Sequence, residues 1–328
     1  MRSDFIHSGD RSAAKEGTPL LSVVVTTYSI NRLRNTLDLL KTLQMQHCCN
    51  LQIIVVTEGS LELHDRIRRY VESEGMLNVL LLINEGKKGL SEARNIAIEQ
   101  AQGDILAFLD DDIVVPENWA CEILRPFSMW TDVVGVTGAV FPLWEDKSMS
   151  WFPRELGWLV SCTTWFDAHE TREVRNAWGH NMAFRRDAFE ACGSFSPETG
   201  YHRGVIAEDV EFSIRVRSKM HKRIVYDPRV VAWHKIGKDR LTVKYISQRA
   251  CWTGYSRRML RRVYGKEGLL FSSETYALRR SASLLLNCFL PHRNFCKRMS
   301  LVFLCIGFLI LGYAFPSAAK HVLSGSIH

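Results

Sequence analysis

The stretch "GLSEARNIAIEQAQGDILAFLDDD", residues 89–112, decides the fold. Residues 89–101 read as a helix, and 104–111 as a strand whose apolar run, Ile105 to Leu109, ends in Asp110, Asp111 and Asp112. A helix that returns the chain directly into a buried strand is the building unit of an α/β sheet. Like charges this close repel, so the cluster needs a cation or a donor-rich ligand. A solvated turn capping a helix is the plainer alternative, since Asp favours first turns. An Asp-x-Asp pair at a strand end is also how a hard divalent cation such as Mg2+ or Mn2+ is held, together with substrate phosphates.

The pattern extends on both sides. "LLSVVVTTY" (20–28) is a β-branched strand, followed by a helical pattern from Arg32 to Gln46. "LQIIVVTEG" (51–59) and "LNVLLLIN" (77–84) are two further strands. Strand and helix alternate, which predicts an α/β domain built on a mainly parallel sheet with helices on both faces. In such sheets ligands sit beyond the carboxyl ends of the strands. Thr27-Tyr28, Glu58 and Asp110–Asp112 all fall at those ends.

Beyond residue 134 the alternation breaks. "VVGVTGAV" is a strand, and a Trp-rich stretch follows with Trp144, Trp151, Trp158 and Trp165, for most of which core packing is the expectation. Residues 177–193 read as a strand into a short helix, and 207–220 as a helix with acidic residues at its start. "KRIVYDPRVVAWHK" (222–235) predicts two short strands around a turn at Asp227-Pro228.

Composition sets outer limits. The 328 residues carry a formal charge of +7, unevenly spread. Between Lys235 and Arg298 there are 15 Lys+Arg against 3 Asp+Glu, while residues 1–234 are net negative. That asymmetry points to phosphates. The basic residues precede an apolar segment, which favours a lipid surface over nucleic acid. That segment, "MSLVFLCIGFLILGYAF" (299–315), has 17 uncharged residues. At about 1.5 Å per residue it reaches about 25 Å, slightly short of a bilayer core of about 30 Å. It predicts a membrane span or anchor, and the flanking positive charge puts residues 1–298 in the cytoplasm. The nine cysteines include no CxxC, and Cys48-Cys49 suit neither a zinc site nor a disulfide framework. Scattered thiols fit a reducing compartment. The expected organisation is a polar tail (1–18), an α/β domain (19–240, halves 19–133 and 134–240), a basic helical region (241–298), the apolar helix (299–315) and a tail (316–328).

The blocks "SVVVTTY", "IIVVTEGS", "GLSEARNIAIEQAQGDILAFLDDD", "GHNMAFRRDAF", "AEDVEF" and "VVAWH" together resemble a family 2 glycosyltransferase with the GT-A fold, over roughly residues 20 to 240. The resemblance implies inverting transfer of a sugar from a nucleotide-sugar donor. It implies that Asp110 contacts the ribose and Asp112 the metal, with Asp111 beside them. Thr27, Tyr28 and Glu58 would form the nucleobase and ribose pocket, although family members usually have Asp-Asp or Asp-Asn where this chain has Thr57-Glu58. Arg94 would lie near the diphosphate; an ordinary exposed helix arginine is its plainer reading. Lys87 and Lys88 could assist there.

The family's "ED" block implies that Glu208-Asp209 supplies the catalytic base, with Asp209 preferred and Glu211 the nearby alternative. Its chemistry is removal of the acceptor hydroxyl's proton as that oxygen attacks the anomeric carbon. A metal-ligating histidine is implied at His234, and a role for His180 and Asn181 in the acceptor or donor-sugar pocket. In "QRACW" (248–252) Cys251 stands where processive members carry Arg, which argues for single addition. The plan resembles enzymes acting on dolichyl- or undecaprenyl-linked glycans, archaeal glucuronosyltransferases among them, so the expected partners are a lipid-linked or other glycan acceptor and an anionic membrane surface. A sugar-phosphate nucleotidyltransferase would need a Gly-rich loop after the first strand, and "TTYSINRLRN" has none. A binding protein that has lost catalysis would not need Asp110, Asp112 and Asp209 together.

Overall fold

Eight residues, rich in leucine and valine, open the described chain as strand β1 (Leu20–Thr27), and the side from which each is covered follows from the two-residue period of a strand. Leu21, Val23 and Val25 pack with Leu39, Leu43, Leu63 and Ile67 in one core, whereas Val24 packs with Ala93, Ala97 and Phe108 in another. The sheet is therefore covered on both faces, which is why its strands read as continuous apolar runs. This is a computed structural model of the chain; it describes residues 20–86, 89–166, 168–197, 208–265 and 295–315.

After β1 come α1 (Leu33–Gln44), β2 (Asn50–Glu58), α2 (Leu61–Ser73), β3 (Val79–Asn84), α3 (Leu90–Gln100) and β4 (Ile105–Asp110). Next are β5 (Ile113–Val114), α4 (Trp119–Met129), β6 (Val133–Trp144), β7 (Arg172–Val174), β8 (Asn181–Arg185) and α5 (Arg186–Cys192). The described chain closes with α6 (Glu208–Met220), β9 (Arg223–Ile236), α7 (Val243–Tyr264) and α8 (Phe295–Ala314). The sheet order is β3-β2-β1-β4-β8-β6-β9-β5, with β7 added on β9.

The sheet is mixed. Its first half, β3-β2-β1-β4, is parallel, as the alternation predicts. At β8 the direction reverses, and only β6 and β9 pair in parallel beyond it. Nor does the Asp227-Pro228 turn divide two strands: β9 is one strand of 14 residues. Its pairing with β6 passes from Gly138↔Asp227 to Ala139↔Val231, so a bulge absorbs the proline without ending the ladder. A Cβ on Gly138 would overlap Val230 O, which is why glycine stands opposite that bulge.

Cys48 and Cys121 form a disulfide, with Cα atoms 5.7 Å apart. This corrects the expectation of scattered thiols. The two are 73 residues apart, and only the packing of α4 beside the connection after α1 brings them together. The tryptophans mostly fill space: Trp165 is buried, and Trp144, Trp151 and Trp158 pack on the core. Residues 1–18, 316–328 and most of the expected basic region beyond Gly265 lie outside the described residues.

Candidate active site

Parallel pairing aligns the carboxyl ends of β1, β2 and β4, with Thr26 opposite Asp110 and Thr27 opposite Thr57. Thr27 is buried, its hydroxyl receiving a hydrogen bond from Thr36 Oγ1 at 3.3 Å. Tyr28 is 53% exposed and the Arg32 guanidinium lies 5.2 Å from its ring centre. Glu58 Oε1 accepts from Gly89 N at 3.0 Å and so fixes the entry to α3. Lys87 and Lys88 lie outside the described residues.

The three aspartates separate into different environments. Asp110 is partly open, its side chain 35% exposed. Asp111 turns inward, and both its oxygens accept from Arg32 Nε at 3.0 Å. Burial pushes the Asp111 carboxyl up to about 7, outweighing Arg32. Asp112 Oδ2 accepts from Arg32 Nη2 at 2.5 Å and from Arg240 Nη2 at 2.7 Å. Burial alone would raise this carboxyl, but the positive charge around it, Arg240 and Arg32 included, prevails and holds it well below the usual range.

His234 reaches Asp112 through strand pairing. The two-residue β5 starts immediately after Asp112 and pairs antiparallel with β9, Ile113 opposite His234, and Lys235 N donates to Asp112 O at 2.9 Å. His234 Nδ1 lies 2.9 Å from Val160 O, and since a carbonyl only accepts, Nδ1 carries the proton. Nε2 then presents a lone pair, which Arg240 Nη1 meets at 2.9 Å, and lies 3.1 Å from Asp112 Oδ1, a buried oxygen with no hydrogen-bond partner. Two electron-pair donors facing each other without a proton between them suit a cation, and a histidine whose other nitrogen donates to a carbonyl is the usual form of a metal ligand. No group of three or more His, Cys, Asp or Glu is arranged to hold a metal among the described residues. The residues therefore fit a hard cation that takes its remaining ligands from a bound diphosphate.

A second network joins α3 to α6. Arg94 is buried, 2% exposed, which excludes the exposed-helix reading. Its Nη1 donates to Glu208 Oε1 at 2.9 Å, and its Nη2 to Asp110 Oδ1 at 3.3 Å and Gly179 O at 2.9 Å. Gly179 N donates in turn to Asp209 Oδ2 at 2.8 Å, and Val210 N to Asp209 Oδ1 at 2.8 Å. One backbone unit, Gly179, thus links the strand-end carboxylate to the expected base. A Cβ at this position would lie 3.3 Å from both Arg94 Nη2 and Asp209 Oδ2, so the link leaves little room for a side chain. A carboxylate offers about four lone-pair positions, so Asp209 keeps two for an acceptor hydroxyl. Burial and the neighbouring Asp209 push Glu208 up to about 7, against the pull of Arg94.

Other expected residues are placed differently. Glu211 turns to Arg215, at 2.9 Å, and Tyr264 Oη, at 2.5 Å, away from the Arg94 network. Asn181 is fully buried: Oδ1 accepts from Trp119 Nε1 at 3.0 Å and Nδ2 donates to Val230 O at 3.0 Å, so its amide is a strut between elements and does not line a pocket. The His180 ring lies parallel to that of His234, centroids 6.5 Å apart, and its buried Nε2 has no hydrogen-bond partner. Burial lowers its pKa to about 3, and the charge of Arg249 adds to the effect, so it is neutral. Arg32 and Arg240 escaped the sequence reading. Each sits in a run with other basic residues, "RLR" and "KDR", and nothing local singles it out.

Comparison with known proteins identifies the family and the fold. The sequence model of glycosyl transferase family 2 matches residues 22–193. A glucosyl-dolichyl phosphate glucuronosyltransferase of Haloferax volcanii is 29% identical over 246 residues, 74% of this chain and 78% of that protein. The succinoglycan biosynthesis protein ExoM of Rhizobium meliloti is 24% identical over 306 residues, 92% of this chain and 86% of its own. Among solved structures, a mannosyltransferase from Pyrobaculum calidifontis in complex with GDP-Man and Mn2+ superposes with a TM-score of 0.63 at 18% identity, covering 90% of this chain and 87% of that one. At that identity the likeness bears on the fold alone, which is that of GT-A glycosyltransferases.

Proposed function

The chain is a glycosyltransferase belonging to glycosyl transferase family 2, and on that premise we propose that it moves one sugar, with inversion, from a nucleotide-sugar donor to a hydroxyl of a polyprenyl-phosphate-linked glycan. The observation that carries this reading is the Asp110–Arg94–Gly179–Asp209 linkage, which ties the carboxylate we take as the base to the strand ends we take as the nucleotide site.

Thr27, Tyr28, Glu58 and Asp110 receive the nucleoside, a uridine by preference. Asp209 takes the proton of the acceptor hydroxyl as its oxygen attacks the anomeric carbon. The bond to the diphosphate breaks on the opposite face, and the nucleoside diphosphate leaves with the electron pair. General-base assistance of this kind contributes about 10²- to 10⁴-fold. Arg32 and Arg240 offer fixed positive charge where the leaving diphosphate gains negative charge. Asp112 and His234 would hold Mg2+ or Mn2+, which would supply further positive charge near that leaving group. Arg94 positions Asp110 and Glu208. Asp111 orients Arg32.

The glucuronosyltransferase relative supports a dolichyl- or polyprenyl-phosphate-linked sugar as acceptor and a uronic acid as the sugar moved. The enzyme then works at the cytoplasmic face of the cell membrane. Buried Cys251, packed within α7, is consistent with addition of a single residue. The decisive experiment is a donor screen with a polyprenyl-phosphate-linked acceptor, reading nucleoside diphosphate release and the anomeric configuration of the product. Release independent of acceptor, or a retained configuration, refutes the reading.

A further inference from the structure

We infer that α8 lies in the plane of the membrane surface and does not cross it. The helix is long and apolar enough to span, from Cys296 to Ala314, but one side of it is already committed to protein. Leu301, Val302 and Cys305 belong to the main core, together with Ile246 and Ala250 of α7 and with Met149, Phe152 and Leu156. At the start of α8, Arg298 Nε donates to Trp151 O at 3.0 Å and Lys297 Nζ sits 3.8 Å above the Trp151 ring centre.

Further along, α8 runs parallel to α7 with the two backbones touching. A Cβ on Gly254 would overlap Leu309 O, and one on Gly312 would overlap Cys251 O. At the far end Arg258 Nη1 donates to Tyr313 O at 2.9 Å, and Arg261 Nη1 to Tyr313 Oη at 2.6 Å. A spanning α8 would therefore draw α7, with Arg257, Arg258, Arg261 and Arg262, into hydrocarbon, where such charges are costly.

The opposite side of α8 is bare and apolar among the described residues. Phe303 is 62% exposed, Ile306 40% and Ile310 54%, and their spacing of three and four places them on one helical face. No charge occurs from Met299 to Phe315. Cations stand at both ends of this stripe: Lys297 and Arg298 at one, Arg258 and Arg261 at the other. An apolar stripe bounded by Lys and Arg fits a bilayer with anionic headgroups, into which such a helix sinks by about 5–10 Å. The inference deepens the proposal of a membrane-bound acceptor, and its test needs no activity.

The full chain, tagged at both termini, is mixed with preformed sealed vesicles of phosphatidylcholine with or without phosphatidylglycerol. We expect spontaneous binding that favours the anionic vesicles and weakens with salt, and both tags cut by protease added outside. A C-terminal tag sheltered in the lumen while the N-terminal tag is cut would overturn the inference. The triple variant Phe303→Glu, Ile306→Glu, Ile310→Glu should lose binding by about tenfold or more per side chain, while keeping the circular dichroism spectrum and elution volume of the parent. Should it keep vesicle binding and change elution volume, the stripe packs on a second copy and the inference fails. Transfer to a soluble acceptor fragment, measured in parallel, distinguishes failure of this inference from failure of the proposed reaction.

Discussion

Arg240 donates to Asp112 Oδ2 at 2.7 Å while its other terminal nitrogen lies 2.9 Å from His234 Nε2. A fixed cation thus already bridges the two side chains that fit a divalent ion. The metal has to compete with that guanidinium, and a diphosphate arriving with the metal offers Arg240 a new partner.

Arg240→Met should therefore raise the affinity of the nucleotide-free protein for Mn2+ by at least about tenfold, because a competitor worth one charge-assisted hydrogen bond, about 1.5–3 kcal/mol, is removed. UDP affinity in the presence of Mn2+ should fall at the same time. Calorimetry or Mn2+ electron paramagnetic resonance reads both. Unchanged or weaker Mn2+ binding without nucleotide would show that Arg240 does not compete for the ion.

Asp112→Ala should abolish the metal dependence of UDP binding and destabilise the nucleotide-free protein. Arg32 and Arg240 converge on this carboxylate, and its loss leaves Arg240 without a carboxylate partner and Arg32 with Asp111 alone. Removing one partner of a buried ion pair costs about 3–5 kcal/mol. Titration of UDP with and without Mn2+ tests the first effect, and a denaturation midpoint the second. A variant that still binds UDP more tightly with Mn2+ would remove Asp112 from the metal site.

Glu208 gives a pH signature. Its carboxyl is raised from 4.5 to about 7, by burial first and by Asp209 next. The folded state therefore holds a proton that the unfolded state has released, and the stability this provides is complete below pH 4.5 and lost as pH rises through about 7. Relative to Glu208→Gln, the parent should become progressively less stable between those values. Melting temperatures of both proteins across that range decide it. Parallel curves would mean that Glu208 is ionised throughout, paired with Arg94.

What could be read from sequence follows from the range of the interactions involved. Buried strands alternating with helices write themselves into local patterns, so β1 to β4 and the carboxylates at their ends were legible. The resemblance pointed to His234, but its contact with Asp112 depends on a two-residue strand, β5, too short to leave a pattern. Arg32 and Arg240 acquire their meaning only when the connection after β1 and the residues after β9 meet over Asp112. The Cys48–Cys121 bond and the packing of α8 on α7 likewise join positions far apart in the chain. Asn181, expected in the acceptor or donor-sugar pocket, has an amide bonded to Trp119 and Val230 in the core, contacts that no local pattern announces.

Asp209→Asn tests the base itself. Both oxygens of Asp209 accept backbone N–H groups, from Gly179 and from Val210. An amide has one acceptor oxygen, so one of those N–H groups loses its partner and faces an NH2 group. That should lower stability by about 1–3 kcal/mol, with some loss of favourable charge at the helix start. Turnover should fall much further, by about 10²- to 10⁴-fold, because the amide cannot take the acceptor's proton. Donor affinity should change little, since Arg94, Asp110 and the strand ends keep their places. The two effects separate experimentally: a melting curve reports the first, and turnover with UDP affinity on the same folded preparation reports the second. Added azide should not restore transfer with retained configuration, because an inverting displacement leaves no covalent intermediate to intercept. If turnover survives, Glu208 becomes the candidate base, since Glu211 is tied to Arg215 and Tyr264 outside the Arg94 network.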